Sequence, residues 1–275
     1  MTGNKMEWND IIDRHKNESC FICAHGPSLN DVSSHLKYFK EKNIRMIGCN
    51  EWYDFYDVIP NYWICCSTSE TIKNRRKKIN EYKIPFLYSY CPDKTEDKWI
   101  QENIKSDYFP YGYLDCESPI CFCGNCNRKN QDISLPKKLM EYCGYDEKFI
   151  RSDTVLIQMI SFSILMGFAN IFIFGAELDL KKGYAIHKKD TYLVDEIPSG
   201  YFDNRAYEAY LDANSSRRFL FDNSLNDIME TLNIIGKSAK KKGIKIYNLS
   251  ERKYDEFINL EQEDMVNQID LIIGK

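Results

Sequence analysis

The sequence predicts an α/β fold: a mostly parallel sheet with helices on both faces and lid insertions. Three observations carry that prediction. Short apolar runs alternate with polar or amphipathic helical segments, the pattern of strands joined by crossover helices. One segment, Val155 to Met166, is apolar almost all round, as a helix buried against a sheet must be. Residues just after the apolar runs are rich in Gly, Asn, Ser and Thr, and open parallel sheets bind ligands beyond the carboxyl ends of their strands.

Taken in order, residues 7–18 read as a leading helix or arm, and Cys20 to Gly26 as the first strand. Gly26-Pro27-Ser28 then turns the chain into a helix that reaches about Glu41. Gly26 admits close approach to the backbone, Pro27 suits a first helical turn, and Ser28 offers a hydroxyl to free amides or to an anion. The turn therefore has the outline of a phosphate-binding turn, with an ordinary strand-to-helix connection as the alternative. Arg45 to Asn50 and Tyr62 to Thr68 are the second and third apolar runs, Ser69 to Tyr82 is helical, and Pro85 to Tyr90 is a fourth strand.

The pattern becomes irregular over about residues 92–149, which read as a first lid insertion. Ser152-Asp153-Thr154 is an N-cap cluster for the buried helix, which Gly167 closes. Asn170 to Asp179 is the most strand-like run in the chain and belongs near the middle of the sheet. Residues 181–221 read as a second lid. A helix with Leu225, Ile228, Met229, Leu232, Ile235 and Ala239 on one face stops at Gly243 before a last strand, Ile244 to Ser250. Residues 1–250 thus form one domain with two insertions. Residues 251–275 form a helical tail whose apolar end can pack on the body, on a second subunit or on a membrane surface.

Composition narrows the function classes. The 275 residues are 43% hydrophobic, enough for a full core. With 37 basic and 41 acidic residues the net charge is −4, which does not recommend a nucleic-acid-binding surface. The basic runs Arg75-Arg76-Lys77-Lys78 and Lys240-Lys241-Lys242 read as solvated helix faces. Met1 to Glu18 carries no apolar signal segment, and the expected location is cytoplasmic, with the inner face of a membrane as the variant the tail allows. The 11 cysteines read as reduced thiols, with Cys20, Cys23, Cys49, Cys65 and Cys66 in strands as small core residues.

Residues next to strand ends form the candidate site: His25, Gly26, Pro27 and Ser28, then Asn50, Ser67 and Thr68, then Glu177 and Asp179, then Asn248 and Ser250. Arg151, Ser152, Asp153 and Thr154 precede the buried helix. A set rich in Asn, Ser and Thr suits the ribose, base and phosphates of a nucleotide. Each residue also has a plain reading as a cap or turn former, so their joint placement carries the weight.

These residues resemble a family. His25-Gly26-Pro27-Ser28-Leu29, followed by Gly48-Cys49-Asn50-Glu51-Trp52-Tyr53, looks like the Gly-Pro-Ser-Leu turn and Cys-Asn element of bacterial lipooligosaccharide sialyltransferases. It is also similar to motility-accessory-factor flagellin glycosyltransferases and to archaeal pterin pyrophosphokinases. The match continues through Arg151 to Val155, Ile173 to Asp179, Tyr184-Ala185 and Ile246 to Leu249. The resemblance implies a Rossmann-like sheet binding a nucleotide-activated sugar, with CMP the leading base, the Gly-Pro-Ser turn and Asn50 on the nucleotide, and Tyr184 near the phosphate. It also implies an enzyme, a glycosyltransferase acting on a glycan or protein acceptor; self-association is an option that the apolar tail leaves open. The chain departs from the family in having His25 where Asn is frequent, and in placing Arg218 to Asn223 where the sialyltransferases carry a general-base histidine.

Glycosyl transfer needs a base for the acceptor hydroxyl and fixed donors for the departing phosphate. His187 or Asp222 can be the base, with a solvated loop histidine and a helix N-cap as their plain readings. Tyr184, Ser28 and Arg151 can face the phosphate. Glu177 and Asp179 can hold Mg²⁺ or cap a turn, and with ATP they would support a pyrophosphokinase or other phosphotransferase. A non-catalytic nucleotide-binding relative is the third reading. Cys116, Cys121, Cys123 and Cys126 read as a reduced cysteine-rich loop, with structural zinc as the alternative. Cys123-x-x-Cys126 has ligand spacing, Cys121-x-Cys123 does not, and Cys143 can substitute. No catalytic metal is assigned.

Overall fold

A computed structural model of the chain describes residues 2–50, 52–65, 69–90, 94–112, 135–145, 154–178, 216–261 and 264–274. Eight strands form one sheet: β1 (Ser19–Cys23), β2 (Arg45–Cys49), β3 (Tyr62–Cys65), β4 (Phe86–Tyr90), β5 (Tyr108–Gly112), β6 (Asn170–Phe174), β7 (Lys245–Asn248) and β8 (Ile258–Asn259). Their order is β5-β4-β3-β2-β1-β6-β7-β8, and each pairing within the sheet is parallel. The predicted Rossmann-like α/β architecture is what the chain forms. The helices are α1 (Leu29–Ser33), α2 (Leu36–Glu41), α3 (Ser69–Tyr82), α4 (Lys94–Asn103), α5 (Lys137–Cys143), α6 (Val155–Leu165), α7 (Ser216–Lys241) and α8 (Met265–Ile272).

Strand alternation builds two cores. Cys20 and Ile22 of β1, Ile64 of β3 and Ile171 and Ile173 of β6 meet α5, α6 and α7 on one face. Phe21, Cys23, Trp63, Cys65, Phe172 and Phe174 point the other way, toward α1 to α4 and α8. Burial of both strand faces explains why these runs are continuously apolar. Helix α6 is the most buried helix, with Leu156 to Leu165 all inside. Its Ser161 and Ser163 hydroxyls donate to the carbonyls four residues earlier, at 2.8 Å each.

The leading segment is an arm and not a regular helix. Asp13, His15 and Asn17 donate their backbone N–H groups to the carbonyls of Leu165, Met166 and Gly167. Those carbonyls have no intrahelical partner at the end of α6, so the arm satisfies them. Gly167 has φ +83, and a Cβ there would lie 3.1 Å from Lys16 Cα.

Several boundaries differ from expectation. The helix after the first turn is split into α1 and α2 around Ser34-His35, where the Ser33 hydroxyl donates to the Asn30 carbonyl. Within the stretch expected as a first lid, 92–149, residues 94–112 supply α4 and the edge strand β5. Leu135, Leu139, Met140 and Cys143 are also core residues. Of the stretch expected as a second lid, 181–221, residues 216–221 belong to α7, and the rest lies outside the described residues. Residues 251–275 are not a purely helical tail. They add β8 to the sheet and bury Met265 and Ile269 of α8 in the second core. Of the final apolar residues, Leu271 is exposed. Among the described residues, no helix is long and apolar enough to cross a membrane.

Candidate functional site

The strand order reverses at β1. The chain moves outward from β1 through β2 to β5, then returns to place β6 on β1's other side. At such a reversal, beyond the carboxyl ends of the strands flanking it, here β1 and β6, open α/β sheets take their ligands. The Gly26-Pro27-Ser28 turn stands at this point.

The turn is tied to the loop after β6. Gly26 donates its N–H to the Gly175 carbonyl at 2.8 Å, and Gly175, at φ +69, donates its own to Ser28 Oγ at 2.9 Å. The Ser28 hydroxyl lies 3.5 Å from Ser250 Oγ, which accepts the Ala176 N–H at 2.8 Å. The backbone N–H of Ser28 donates to Glu177 Oε1 at 3.2 Å. Ser28 was expected to offer its hydroxyl to free amides or to an anion; the hydroxyl takes the free Gly175 amide, and the Ser28 backbone N–H is likewise committed to the β6 loop. Gly26 is obligatory for the same reason, since a Cβ would stand 1.9 Å from Glu177 Oε2 and 2.6 Å from the Gly175 carbonyl oxygen. Gly26 and Pro27 keep partial exposure, so the outer surface of the turn stays accessible.

Two buried acceptors flank this turn without hydrogen-bond partners among the described residues. One is Asn50 Oδ1, just after β2, on a residue with φ +42, a conformation asparagine tolerates better than most side chains. The other is Glu177 Oε2, on a side chain only 2% exposed. Since β2 and β6 are the two neighbours of β1, the acceptors stand on opposite sides of the turn. Buried acceptors of this kind call for donors from a ligand or solvent.

Arg75 was missed. Its basic run read as a solvated face, yet the side chain is 8% exposed and Nη1 donates to Sγ of Cys65, the last residue of β3. Burial lowers its pKa to about 10, with Cys49 acting in the opposite sense. The signal was available, because Ile72, Arg75 and Ile79 lie on one helical stripe and both isoleucines are buried. A cation therefore stands at the carboxyl ends of β2 and β3. Arg76 and Lys77 are exposed, as expected of that run.

Other expected residues have structural partners. His25 is 7% exposed, stacks on Phe55 with centroids 4.1 Å apart, and places Nε2 3.5 Å from Cys49 Sγ. The Asn248 amide nitrogen donates to the Arg252 carbonyl at 2.7 Å and to Asn259 Oδ1 at 2.9 Å, while its oxygen accepts the Ser250 N–H at 3.1 Å. Fully buried, Asn248 fixes the β7–β8 loop and presents no side-chain atom to a ligand. That loop in turn pins the loop after β6: Arg252 donates to the carbonyls of Glu177 and Leu178, and the Tyr254 hydroxyl to that of Ala176. Thr154 caps α6, accepting the Leu156 N–H at 3.3 Å. Asp222 lies inside α7, so it is not the helix N-cap, and its side chain is outside the described residues.

Ser67, Thr68, Arg151, Ser152, Asp153, Asp179, Tyr184 and His187 lie outside the described residues, as do Cys66, Cys116, Cys121, Cys123 and Cys126. Cys143, the substitute zinc ligand, is a core thiol that burial pushes up to about 12, donating to the Ser161 carbonyl. Cys20, Cys23, Cys49 and Cys65 are buried thiols that form no disulfide, as expected. Among the described residues no group of three or more His, Cys, Asp or Glu side chains is arranged to hold a metal ion.

No protein-family model and no curated protein sequence matches the chain. Solved structures do resemble it. One is the MAf glycosyltransferase from Magnetospirillum magneticum AMB-1, similar at a TM-score of 0.47 and 12% identity over 96% of this chain. The chain spans 38% of that protein's length.

Proposed function

We propose that the chain is a glycosyltransferase that moves a sugar from a nucleotide-activated donor, a CMP-sugar first among candidates, to a glycan or protein acceptor. The observation that carries the reading is the Gly-Pro-Ser turn at the strand-order reversal, flanked by the unpartnered acceptors of Asn50 and Glu177. Ribose hydroxyls and the amine of a base are donors of the kind those acceptors need. The motif resemblance of the turn and of Asn50 supplies the reaction class.

In the proposed reaction an acceptor hydroxyl gives its proton to a base as its oxygen bonds to the anomeric carbon. The bond from that carbon to the donor phosphate breaks, and the nucleotide leaves with the electron pair. His187 or Asp222 takes the proton, while Tyr184, Arg151 and the buried Arg75 face the departing phosphate. Donor hydrolysis and transfer with a panel of CMP-, UDP- and GDP-sugars is the test. Turnover of one donor supports the proposal; binding without turnover would make the chain a non-catalytic nucleotide binder, and no binding of any nucleotide would end both readings.

Glu177 Oε2 favours one second reading, phosphotransfer from ATP with Mg²⁺ held by Glu177 and Asp179. Activity dependent on ATP and Mg²⁺, and abolished by E177Q, distinguishes it.

A further inference from the structure

The opposite edge of the sheet carries a second polar concavity. A groove of about 410 Å³ lies where the arm crosses the amino ends of the strands, lined by Arg14, His15, Glu18, Arg45, Asn61 and Tyr62, with Pro85 as its apolar member.

Hydrogen-bond accounting shows what the groove lacks. Glu18 uses both oxygens internally, Oε2 on Arg45 Nε at 2.8 Å and Oε1 on His15 Nδ1 at 3.3 Å. Since Nδ1 carries the proton, His15 Nε2 accepts from the Tyr62 hydroxyl at 2.7 Å. Asn61 Oδ1 accepts the Met46 N–H at 2.9 Å, which leaves the Asn61 amide nitrogen as a donor. Arg45 bonds through Nε, leaving both Nη groups as donors. Arg14 makes one long contact to the Asp10 carbonyl, 3.4 Å, and one to Met6 Sδ, 4.0 Å. With one carboxylate against two guanidiniums and a neutral imidazole, the lining has a net positive charge and a surplus of N–H groups.

We infer that this groove binds the phosphoryl group of a small phosphorylated sugar or polyol, held by Arg14, Arg45 and the Asn61 amide. Guanidinium donors in a fork match phosphate oxygens, and an oxyanion is the acceptor the lining lacks. The rest of the surface excludes a nucleotide base as the main contact. The His15 ring is already stacked on Phe168, with centroids 4.9 Å apart, and Tyr62 is buried, so no aromatic face is left for stacking. A hydroxylated ligand suits the remaining polar lining. The groove lies at the amino ends of the strands, so it is separate from the candidate nucleotide site.

The test is titration calorimetry of the full chain with glucose 6-phosphate, inorganic phosphate and glucose. The ester should bind more tightly than inorganic phosphate, and glucose should not bind. R14Q and R45Q should each weaken the ester at least about tenfold, as loss of a charge-assisted contact does. R14Q removes a side chain that has no carboxylate partner among the described residues, so its melting temperature should stay at the wild-type value. E177Q, at the other edge, should leave ester binding unchanged. Ester binding that is absent, no tighter than inorganic phosphate, insensitive to both arginine variants, or lost in E177Q would overturn the assignment. Saturating CMP should leave ester affinity unaltered, which separates this site from the candidate nucleotide site whether or not the latter proves functional.

Discussion

The backbone N–H of Ser28 is bonded to the carboxylate of Glu177, so an acid from the loop after β6 occupies the amide that a phosphate would seek at this turn. The chain carries its own anion at the reversal point. Replacing Glu177 with Gln keeps an oxygen for the Ser28 N–H and turns the unpartnered Oε2 acceptor into an amide donor. E177Q should therefore bind CMP severalfold more weakly than the wild type, measured by calorimetry without divalent metal. Tighter binding would show that the carboxylate chiefly repels the phosphate.

Gly26 allows no side chain. In G26A the new methyl would meet both the Glu177 carboxylate and the Gly175 backbone, and the backbone cannot swing away as a flexible side chain does. The expected loss is about 2 kcal/mol or more of unfolding free energy, read from the urea midpoint. An unchanged midpoint would mean the β6 loop yields freely.

Thr154 separates a cap from a ligand contact. T154A should cost about 1 kcal/mol of stability through the lost bond to Leu156, and T154S should restore it. If Thr154 also touches the donor, T154S will regain stability without regaining nucleotide affinity.

Arg75 should discriminate phosphate from sugar. R75M is expected to weaken CMP about tenfold while leaving cytidine affinity near the wild-type value, since a hydrogen bond to a charged group is worth about 1.5–3 kcal/mol. Equal losses for both ligands would move Arg75 from phosphate recognition to structural support of β3.

His15 predicts an acid limb in the stability profile. Burial against Phe168 and Tyr62 holds its pKa below the usual 6.5, outweighing the opposing pull of Glu18. The fold thus favours the neutral ring, and its stabilising contribution is complete above pH 6.5. As the pH falls below 6.5 the unfolded chain binds the proton first, and stability declines until the folded pKa is passed. The melting temperature of H15Q should fall less than that of the wild type between pH 7 and 5.5. Parallel curves would remove His15 as the source.

The parts of the fold legible in the sequence were those with strong apolar periodicity. The runs at Cys20, Arg45, Tyr62, Pro85 and Asn170 became strands, and the all-apolar segment became the buried α6. Strand β5 escaped notice because Pro110 interrupts Tyr108-Phe109-Pro110-Tyr111, and proline is tolerated in a sheet mainly at an edge, where β5 lies. The first turns of α7 carry no clean apolar stripe, so the helix seemed to start later. At the site, positions after strands were readable, but bonding partners were not. Ser28 and Asn248 have the composition of ligand contacts, and only the fold reveals that Glu177, Gly175 and the β7–β8 loop already use them. Arg75 was hidden by its charged neighbours, although its place between Ile72 and Ile79 marked it as inward.

The seam between the arm and α6 has a consequence for biosynthesis. Asp13, His15 and Asn17 leave the ribosome long before Leu165, Met166 and Gly167 exist to receive them, and β1 must likewise wait for β6. During that interval the nascent chain leaves one edge of its first strand unpaired. Long-range closure of this kind slows folding and leaves unpaired strand edges open to wrong partners. Residues 13–17 thus reach their final places only after α6 has been made.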